Sequence, residues 1–164
     1  MIADTFLSEF EAEAKTTRRF LEQLPADKLG WKPHPKSMTA GQLALHLAQV
    51  PGAIASLAQQ DASPAPDFSN RPQPASLQQI LDAHEQSAAT VRQLLPKISD
   101  DAMSKTWSAT VNGQPVLSMP RAGLLRMIML NHWIQHRGQL GVYLRMLGAK
   151  VPFSYGPSGD ESPF

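Results

Sequence analysis

Two histidines stand four residues apart in a proline-free, apolar part of the chain. In an α-helix this spacing places His132 and His136 on one face, a turn apart, where both imidazoles can bind one metal ion. The pair alone is a weak indicator, because two histidines at this spacing also occur by chance and in packed cores. Their stripe continues through Leu125, Ile128 and Gln139, so we expect it to face the protein interior.

A third histidine strengthens the metal hypothesis. His46 lies on the apolar stripe of a different predicted helix, between Leu43 and Leu47, where an imidazole without a partner is costly. Three inward-facing histidines match a metal site with an open fourth position, which is typical of catalytic rather than structural zinc sites. The sequence therefore predicts a divalent metal ion, for which zinc and nickel are both suitable.

The other two histidines are weaker candidates. His84 also lies on an apolar stripe, and it could be a fourth ligand, a proton shuttle or a core histidine bonded to a carbonyl. We favour the core interpretation. His34 lies in a loop between two prolines, and we interpret it as a surface or loop-packing residue.

Polar residues that follow His136 on the same predicted helix are further candidates. Gln139, one turn along, could orient a ligand or a water molecule, or it could be a polar cap at the end of the helix bundle. Tyr143, another turn along, could reach the cavity with its hydroxyl group, although a packing role is favoured. Arg137 points away from the ligand stripe and is expected to form a salt bridge at a helix or dimer contact.

Composition excludes several functional classes. The 164 residues carry 15 basic and 14 acidic side chains, for a net charge of +1, and no basic run suggests a nucleic-acid partner. No apolar stretch reaches the roughly 18–20 residues that span a bilayer, and the acidic N-terminal segment does not match a signal peptide. We therefore expect a cytoplasmic protein. Because the chain has no cysteine, any thiol in its chemistry must come from a partner molecule.

Fourteen prolines outline the elements that must position the histidines. Between them, apolar residues recur at helical spacing, which predicts helices over 1–24, 39–60, 77–95 and 120–147. Thr39 and Gln42 match a capping box at the start of the second helix, and Pro51 predicts a kink within it. Gly148 is the expected cap at the end of the last helix.

The segments between these helices complete the predicted fold. Residues 61–75 contain too many prolines for regular structure and predict a long crossover between helices two and three. Alternating apolar residues around Asn112-Gly113 predict a small β excursion before the last helix. We therefore predict an all-α four-helix bundle as one domain over 1–148, with an irregular tail at 149–164 packed on it or extending from it.

Three segments together resemble a known family. They are WKPHPKSMTAGQLALHLAQVPG, NHWIQHRGQLGVYLRMLG and VPFSYGPSGDE, at 31–52, 131–148 and 151–161. The chain resembles the DinB/YfiT-like family of small metalloenzymes, which is unrelated to the DNA polymerase of similar name. The resemblance implies a four-helix bundle, a homodimer, and zinc or nickel held by His46, His132 and His136.

The predicted function follows from an open metal position. Three neutral imidazoles leave the ion its double positive charge, which would lower the pKa of bound water towards about 7 and would deprotonate a thiol cosubstrate. Some relatives are similar to S-transferases or isomerases that use low-molecular-weight thiols, and others resemble metal-dependent hydrolases. We predict such an enzyme acting on a small molecule.

Two alternatives stay open. One is a non-catalytic, stress-associated protein in which the metal only links helices two and four. This alternative is considered because the ligand stripes carry few acid or base groups. The other is a metal-free bundle that binds an apolar ligand or a partner helix.

Overall fold

The computed structural model describes residues 1–67, 69 and 71–164. The α-helices are α1 (Ile2–Glu22), α2 (Ala40–Leu57), α3 (Leu77–Leu94), α4 (Asp100–Ser104), α5 (Arg121–Leu124) and α6 (Trp133–Met146). The strands are β1 (Ala62–Pro64), β2 (Thr106–Val111) and β3 (Gln114–Pro120). Short 3-10 turns occur at Ala26–Lys28 and Leu95–Lys97, and a π-helical segment, Leu125–His132, joins α5 to α6 without a break.

The starts and ends of the helices follow from local sequence. At the start of α2, the backbone N–H of Gln42 donates to Thr39 Oγ1 at 3.1 Å, and the backbone N–H of Thr39 donates to Gln42 Oε1 at 3.0 Å. These two bonds are the predicted capping box, which satisfies backbone donors that a helix start leaves free. The final helix ends at Met146, and Gly148 has a positive φ of 71°, as expected for a glycine cap.

Helix α2 continues through Pro51 to Leu57 instead of stopping at the proline. Proline has no N–H, so the carbonyl of Leu47 loses its usual partner within the helix. The indole Nε1 of Trp133 donates to that carbonyl at 2.8 Å, in the buried core. The partner missing from α2 is therefore supplied by α6, the helix that carries His136.

A three-stranded sheet lies beside the helices in the order β1-β2-β3, and it corrects part of the predicted fold. The prediction of irregular structure over 61–75 is wrong at β1, which pairs in parallel with β2, Ala62 opposite Ser108. Because β1 is an edge strand, Pro64 is tolerated there. The β2–β3 hairpin confirms the predicted turn, since Asn112 and Gly113 have φ values of 50° and 77°.

The fold is mostly helical with this small sheet, but the predicted count of four helices is not confirmed. Helix α4 was not predicted, because five residues are too short to show a helical period. The predicted last helix exists as α5, the π-helical segment and α6 in succession. Within the described residues, no helix is both long and apolar enough to pass through a bilayer.

The main core lies where α1, α2, α3 and the last helix meet. Trp133 is completely buried there, and its ring stacks on Phe10 of α1 with the centroids 5.4 Å apart. Such an aromatic pair stabilises the core through its large apolar area and favourable ring geometry. Trp133 follows the ligand candidate His132 directly in the chain and precedes His136 by three residues, so the stack holds the start of α6 beside both.

Candidate metal centre

The three predicted ligands meet where α2 faces the junction of the π-helical segment and α6. His46 Nε2 lies 3.2 Å from His132 Nε2, and His136 Nε2 lies 3.1 Å from the same atom. All three ligand atoms lie within 4.8 Å of one another. The fold therefore brings together side chains that are 86 residues apart in the chain.

The direction of the His136 ring is set by Gln139. Gln139 Oε1 lies 2.7 Å from His136 Nδ1, so the ring N–H donates to the amide oxygen. In a neutral imidazole, a proton on Nδ1 leaves the lone pair on Nε2, which here points towards the other two histidines. Hydrogen bonds of this kind orient histidine ligands in metalloproteins.

The three rings favour their neutral forms. Burial, the two neighbouring imidazoles and the charge of Arg71 lower the pKa of His46 from 6.5 to about 4. Burial also lowers the pKa of His132 and, against the opposing effect of the Gln139 hydrogen bond, that of His136. Neutral imidazoles have the free lone pairs that a metal requires. At neutral pH the cluster is therefore ready to bind a cation.

This donor set fits a divalent ion. Imidazole nitrogens bind zinc at about 2.0–2.1 Å, so ligands of one ion must converge to within a few ångströms. The two contacts of His132 have this convergence, and the tautomer of His136 directs a lone pair into the same space. His46, His132 and His136 are thus the residues that would hold the ion.

A cavity of about 400 Å³ opens in front of the three histidines. Its wall is completed by residues just before and along α2 and by residues of the crossover between β1 and α3: Met38, Gln42, Leu45, Gln49, Pro66, Asp67, Arg71 and Pro72. Sequence reasoning missed Asp67 and Arg71, because the crossover has no periodic pattern that indicates which side chains point towards the histidines. Pockets of this size hold small molecules.

The remaining histidine candidates lie elsewhere. His84 is buried on α3 and bonds to the backbone of Ala14 in α1, outside the cluster and its cavity. Its position agrees with a core histidine. His34 lies in the exposed loop before α2, where its Nδ1 accepts from the N–H of Lys36 at 3.2 Å.

Two other polar candidates also have structural partners. The hydroxyl group of Tyr143 donates to the carbonyl of Met38 at 3.3 Å, and its ring packs edge-on against Trp31, outside the cavity wall. Arg137 is buried and forms an ion pair with Glu13 of α1, which is the salt bridge at a helix contact expected for it.

Comparison with known proteins identifies the family of this chain. The sequence model of the DinB family matches residues 1–162, nearly the whole chain. The chain belongs to the DinB family. Across 160 residues it is 33% identical to the uncharacterized protein YrdA of Bacillus subtilis (strain 168), and the alignment covers 96% of this chain and 90% of YrdA.

Solved structures similar to this DinB-family chain include a DinB-like protein from Bacillus cereus ATCC 10987. The two share 27% identity and a TM-score of 0.72, over 93% of this chain and 97% of the other. The DinB-like protein YjoA of Bacillus subtilis is 21% identical, with a TM-score of 0.70, over 91% of this chain and 96% of that one.

A mycothiol-dependent maleylpyruvate isomerase has a similar fold as well. It is 17% identical to this DinB-family chain, with a TM-score of 0.61, and the match covers 92% of this chain and 64% of the isomerase. At this identity the likeness concerns the fold alone. An enzyme is therefore known on this fold, and part of its chain has no counterpart here.

Proposed function

We propose that this DinB-family chain is a metal-dependent enzyme that acts on a small molecule. A single divalent ion, zinc or nickel, is held by His46, His132 and His136, and the substrate occupies the adjoining cavity. The observation that carries the proposal is the convergence of three Nε2 atoms at the wall of a cavity of about 400 Å³.

The chain's own residues prepare the reaction. Gln139 holds the proton of His136 on Nδ1, and burial lowers the pKa of all three rings, which favours their neutral forms. When bound, the ion would supply a Lewis acid with open coordination positions, which lowers the pKa of water or of a thiol. Met38 and Leu45 contribute apolar surface to the cavity, which reduces the amount of water around the substrate.

Two reaction classes use such a site: hydrolysis and the transfer or isomerisation of a substrate with the help of a thiol. The mycothiol-dependent isomerase on the same fold supports the second class. Since this chain has no cysteine, the thiol would be a separate low-molecular-weight cosubstrate. The two classes differ in whether turnover depends on an added thiol.

Metal analysis of protein purified without a histidine tag tests the first half of the proposal. We expect one equivalent of metal in the wild type and in His34→Ala, whose histidine lies in an exposed loop. His46→Ala and His132→Ala each remove one of three ligands and should lose most of the metal. Equal metal content in all four proteins would contradict the site.

Turnover by the metal-loaded protein tests the second half. Ester and amide substrates, and electrophiles with and without an added thiol, separate hydrolysis from thiol-dependent transfer. No turnover at full loading, with a large fall in thermal stability on chelation, would favour the non-catalytic alternative. The hydrogen bond from Trp133 to Leu47 joins α2 to α6 through the protein's own groups, so the contact between these helices does not depend on a metal ion alone.

A further inference from the structure

Arg71 places a positive charge beside the three histidines. It lines the same cavity as His46, His132 and His136. Within the described part of the chain, no carboxylate lies within salt-bridge distance of Arg71. The guanidinium is thus available to an anion that enters the cavity.

We propose that Arg71 binds a carboxylate group of the substrate, so that the enzyme acts on small carboxylic acids. This inference rests on the proposed function and specifies its substrate class. Arginine presents two parallel N–H donors in a fixed plane, which match the two oxygens of a carboxylate. One end of the substrate would lie on Arg71 and the reacting end near the histidines.

The backbone of Arg71 is held in place by the start of α2. Gln42 Nε2 donates to the carbonyl of Arg71 at 2.8 Å, and the same amide group completes the capping box with Thr39. Gln42 lies one turn before His46 on α2. One side chain therefore couples the position of Arg71 to the helix that carries a metal-ligand candidate.

The residues after Arg71 are also fastened to α2. Thr39 Oγ1 donates to Gln73 Oε1 at 2.7 Å. The crossover passes so close to Gly41 that a Cβ atom there would lie 2.7 Å from Gln73 Nε2 and 3.0 Å from Pro74 Cγ. A side chain at position 41 would require the Gln73 side chain and the Pro74 ring to move, so glycine suits this close approach. The segment from Arg71 to Pro74, whose first two residues line the cavity, thus has a defined position against α2.

The charge of the cavity favours a single carboxylate over a more highly charged group. Asp67 also lines the cavity, and its Oδ1 accepts the N–H of Ser69 at 2.8 Å. This carboxylate opposes Arg71 in charge and would repel a dianion such as a phosphate more strongly than a carboxylate. A volume of about 400 Å³ suits a molecule of modest size.

Binding of paired probes to the zinc-loaded protein tests the inference. The probes are mercaptoacetate, 3-mercaptopropionate and 4-mercaptobutyrate, each compared with its uncharged amide by isothermal titration calorimetry. The thiol is common to each pair, so the ratio of affinities isolates the carboxylate. We expect Arg71→Ala to lower the acid-to-amide ratio of the best pair about tenfold, which is typical of one lost charge-assisted hydrogen-bonded pair.

Two further variants control this measurement. Arg71→Lys keeps the charge but lacks the planar fork, so its ratio should fall between those of the wild type and Arg71→Ala. Arg92→Ala removes an exposed arginine whose ion pair joins α3 to Glu11 of α1, away from the cavity, and should leave the ratio unchanged.

The possible results separate this inference from the proposed function. If the protein holds zinc and binds the thiols, but Arg71→Ala keeps the wild-type ratio, the carboxylate inference alone is wrong. Loaded protein that binds neither member of any pair also overturns it. A protein that holds no metal overturns the proposed function, and the carboxylate inference with it.

Discussion

At the scale of single residues, the candidate centre depends on groups that control the histidines. Gln139 is exposed, yet its amide oxygen accepts the Nδ1 proton of His136. A metal ligand held in one tautomer loses less freedom when the ion binds, and its lone pair is already directed correctly. Gln139 is therefore expected to act on the metal through His136, as a positioning residue.

Replacement of Gln139 by alanine should weaken metal binding about 10- to 100-fold, the usual effect of losing such a hydrogen bond. Competition with a chromogenic chelator measures the affinity. Gln135→Ala is the matched control, because Gln135 is an exposed glutamine on the same helix. If the two variants bind metal equally well, Gln139 has no positioning role.

The low pKa of His46 predicts how acid affects the metal-free protein. In the unfolded chain His46 has a pKa near 6.5, and in the folded chain its pKa is about 4. Between these values the unfolded state binds more protons, so the free energy of unfolding falls as the pH falls from about 6.5 towards 4. Above about pH 6.5 His46 is neutral in both the folded and the unfolded chain, so the folded chain then has the full stability that protonation of His46 removes at lower pH.

Urea denaturation of the metal-free protein, prepared with a chelator, at pH 7 and pH 5 checks this expectation. His46→Ala should lose less stability between the two pH values than the wild type, because one group that takes up a proton on unfolding is gone. His84, His132 and His136, whose pKa values are also lowered, remain in both proteins. Equal losses would mean that His46 does not titrate as described.

At the scale of elements, the centre depends on how α2 and the last helix are joined. The π-helical segment Leu125–His132 ends at one ligand candidate, and α6 carries the next. Such segments are rare in proteins, and many of those that occur lie at functional sites. Directly after this segment, Trp133 donates to the carbonyl that Pro51 leaves free in α2. Pro51 frees the carbonyl and Trp133, far away in sequence, bonds to it, so the two residues together join α2 to α6 through one hydrogen bond.

Trp133→Phe should destabilise the protein by at least about 1–3 kcal/mol, since the buried Leu47 carbonyl loses its donor. Pro51→Ala restores an N–H to α2 that can bond the same carbonyl. The free energy of unfolding should therefore fall in the double variant by roughly 1 kcal/mol less than the sum of the decreases in the two single variants. Urea denaturation of the four proteins gives this coupling.

Trp107 supplies a matched control for this cycle. It is also buried, but its indole N–H has no hydrogen-bond partner in the described part of the structure. Trp107→Phe combined with Pro51→Ala should therefore give additive losses. Equal coupling in both cycles would contradict a specific connection between Trp133 and Leu47.

At the scale of the whole molecule, Arg137 links distant parts of the chain. Its guanidinium forms an ion pair with Glu13 of α1 and donates to Ser154 Oγ in the tail at 3.1 Å. Its side chain is only 2% exposed, so either charge left alone would be poorly solvated. The tail, whose position the sequence did not predict, packs on the helices through this arginine.

Arg137→Ala should lower the free energy of unfolding by about 3–5 kcal/mol, because it leaves a largely buried carboxylate without its partner. The matched control is Arg92→Ala, which removes an ion pair between α3 and Glu11 of α1 at the surface and should cost about 0–1 kcal/mol. Urea denaturation gives both values. Similar losses would indicate that burial of the Arg137 pair has no energetic importance.

Association between copies also belongs to this scale. The expected homodimer stays a prediction, which sedimentation of the purified protein would test.

Much of this protein could be predicted from patterns that extend over a few residues. Helical periodicity between prolines gave the long helices, Thr39 and Gln42 gave a cap, and Asn112-Gly113 gave a turn. These features depend on contacts between residues up to about four positions apart, so they can be recognised as patterns within a short stretch of sequence. The spacing of His132 and His136 is local in the same way, whereas His46 was proposed as their partner from its place on the apolar stripe of another helix.

Only the tertiary structure decided the surroundings of that cluster. The pairing of β1 with β2, the bond from Trp133 to Leu47 and the position of Arg71 at the cavity all join residues far apart in the chain. No local period predicts them, since each depends on which surfaces meet after the helices pack. The sequence alone thus determined the candidate ligands, whereas packing determined the cavity and the charge that a substrate would meet there.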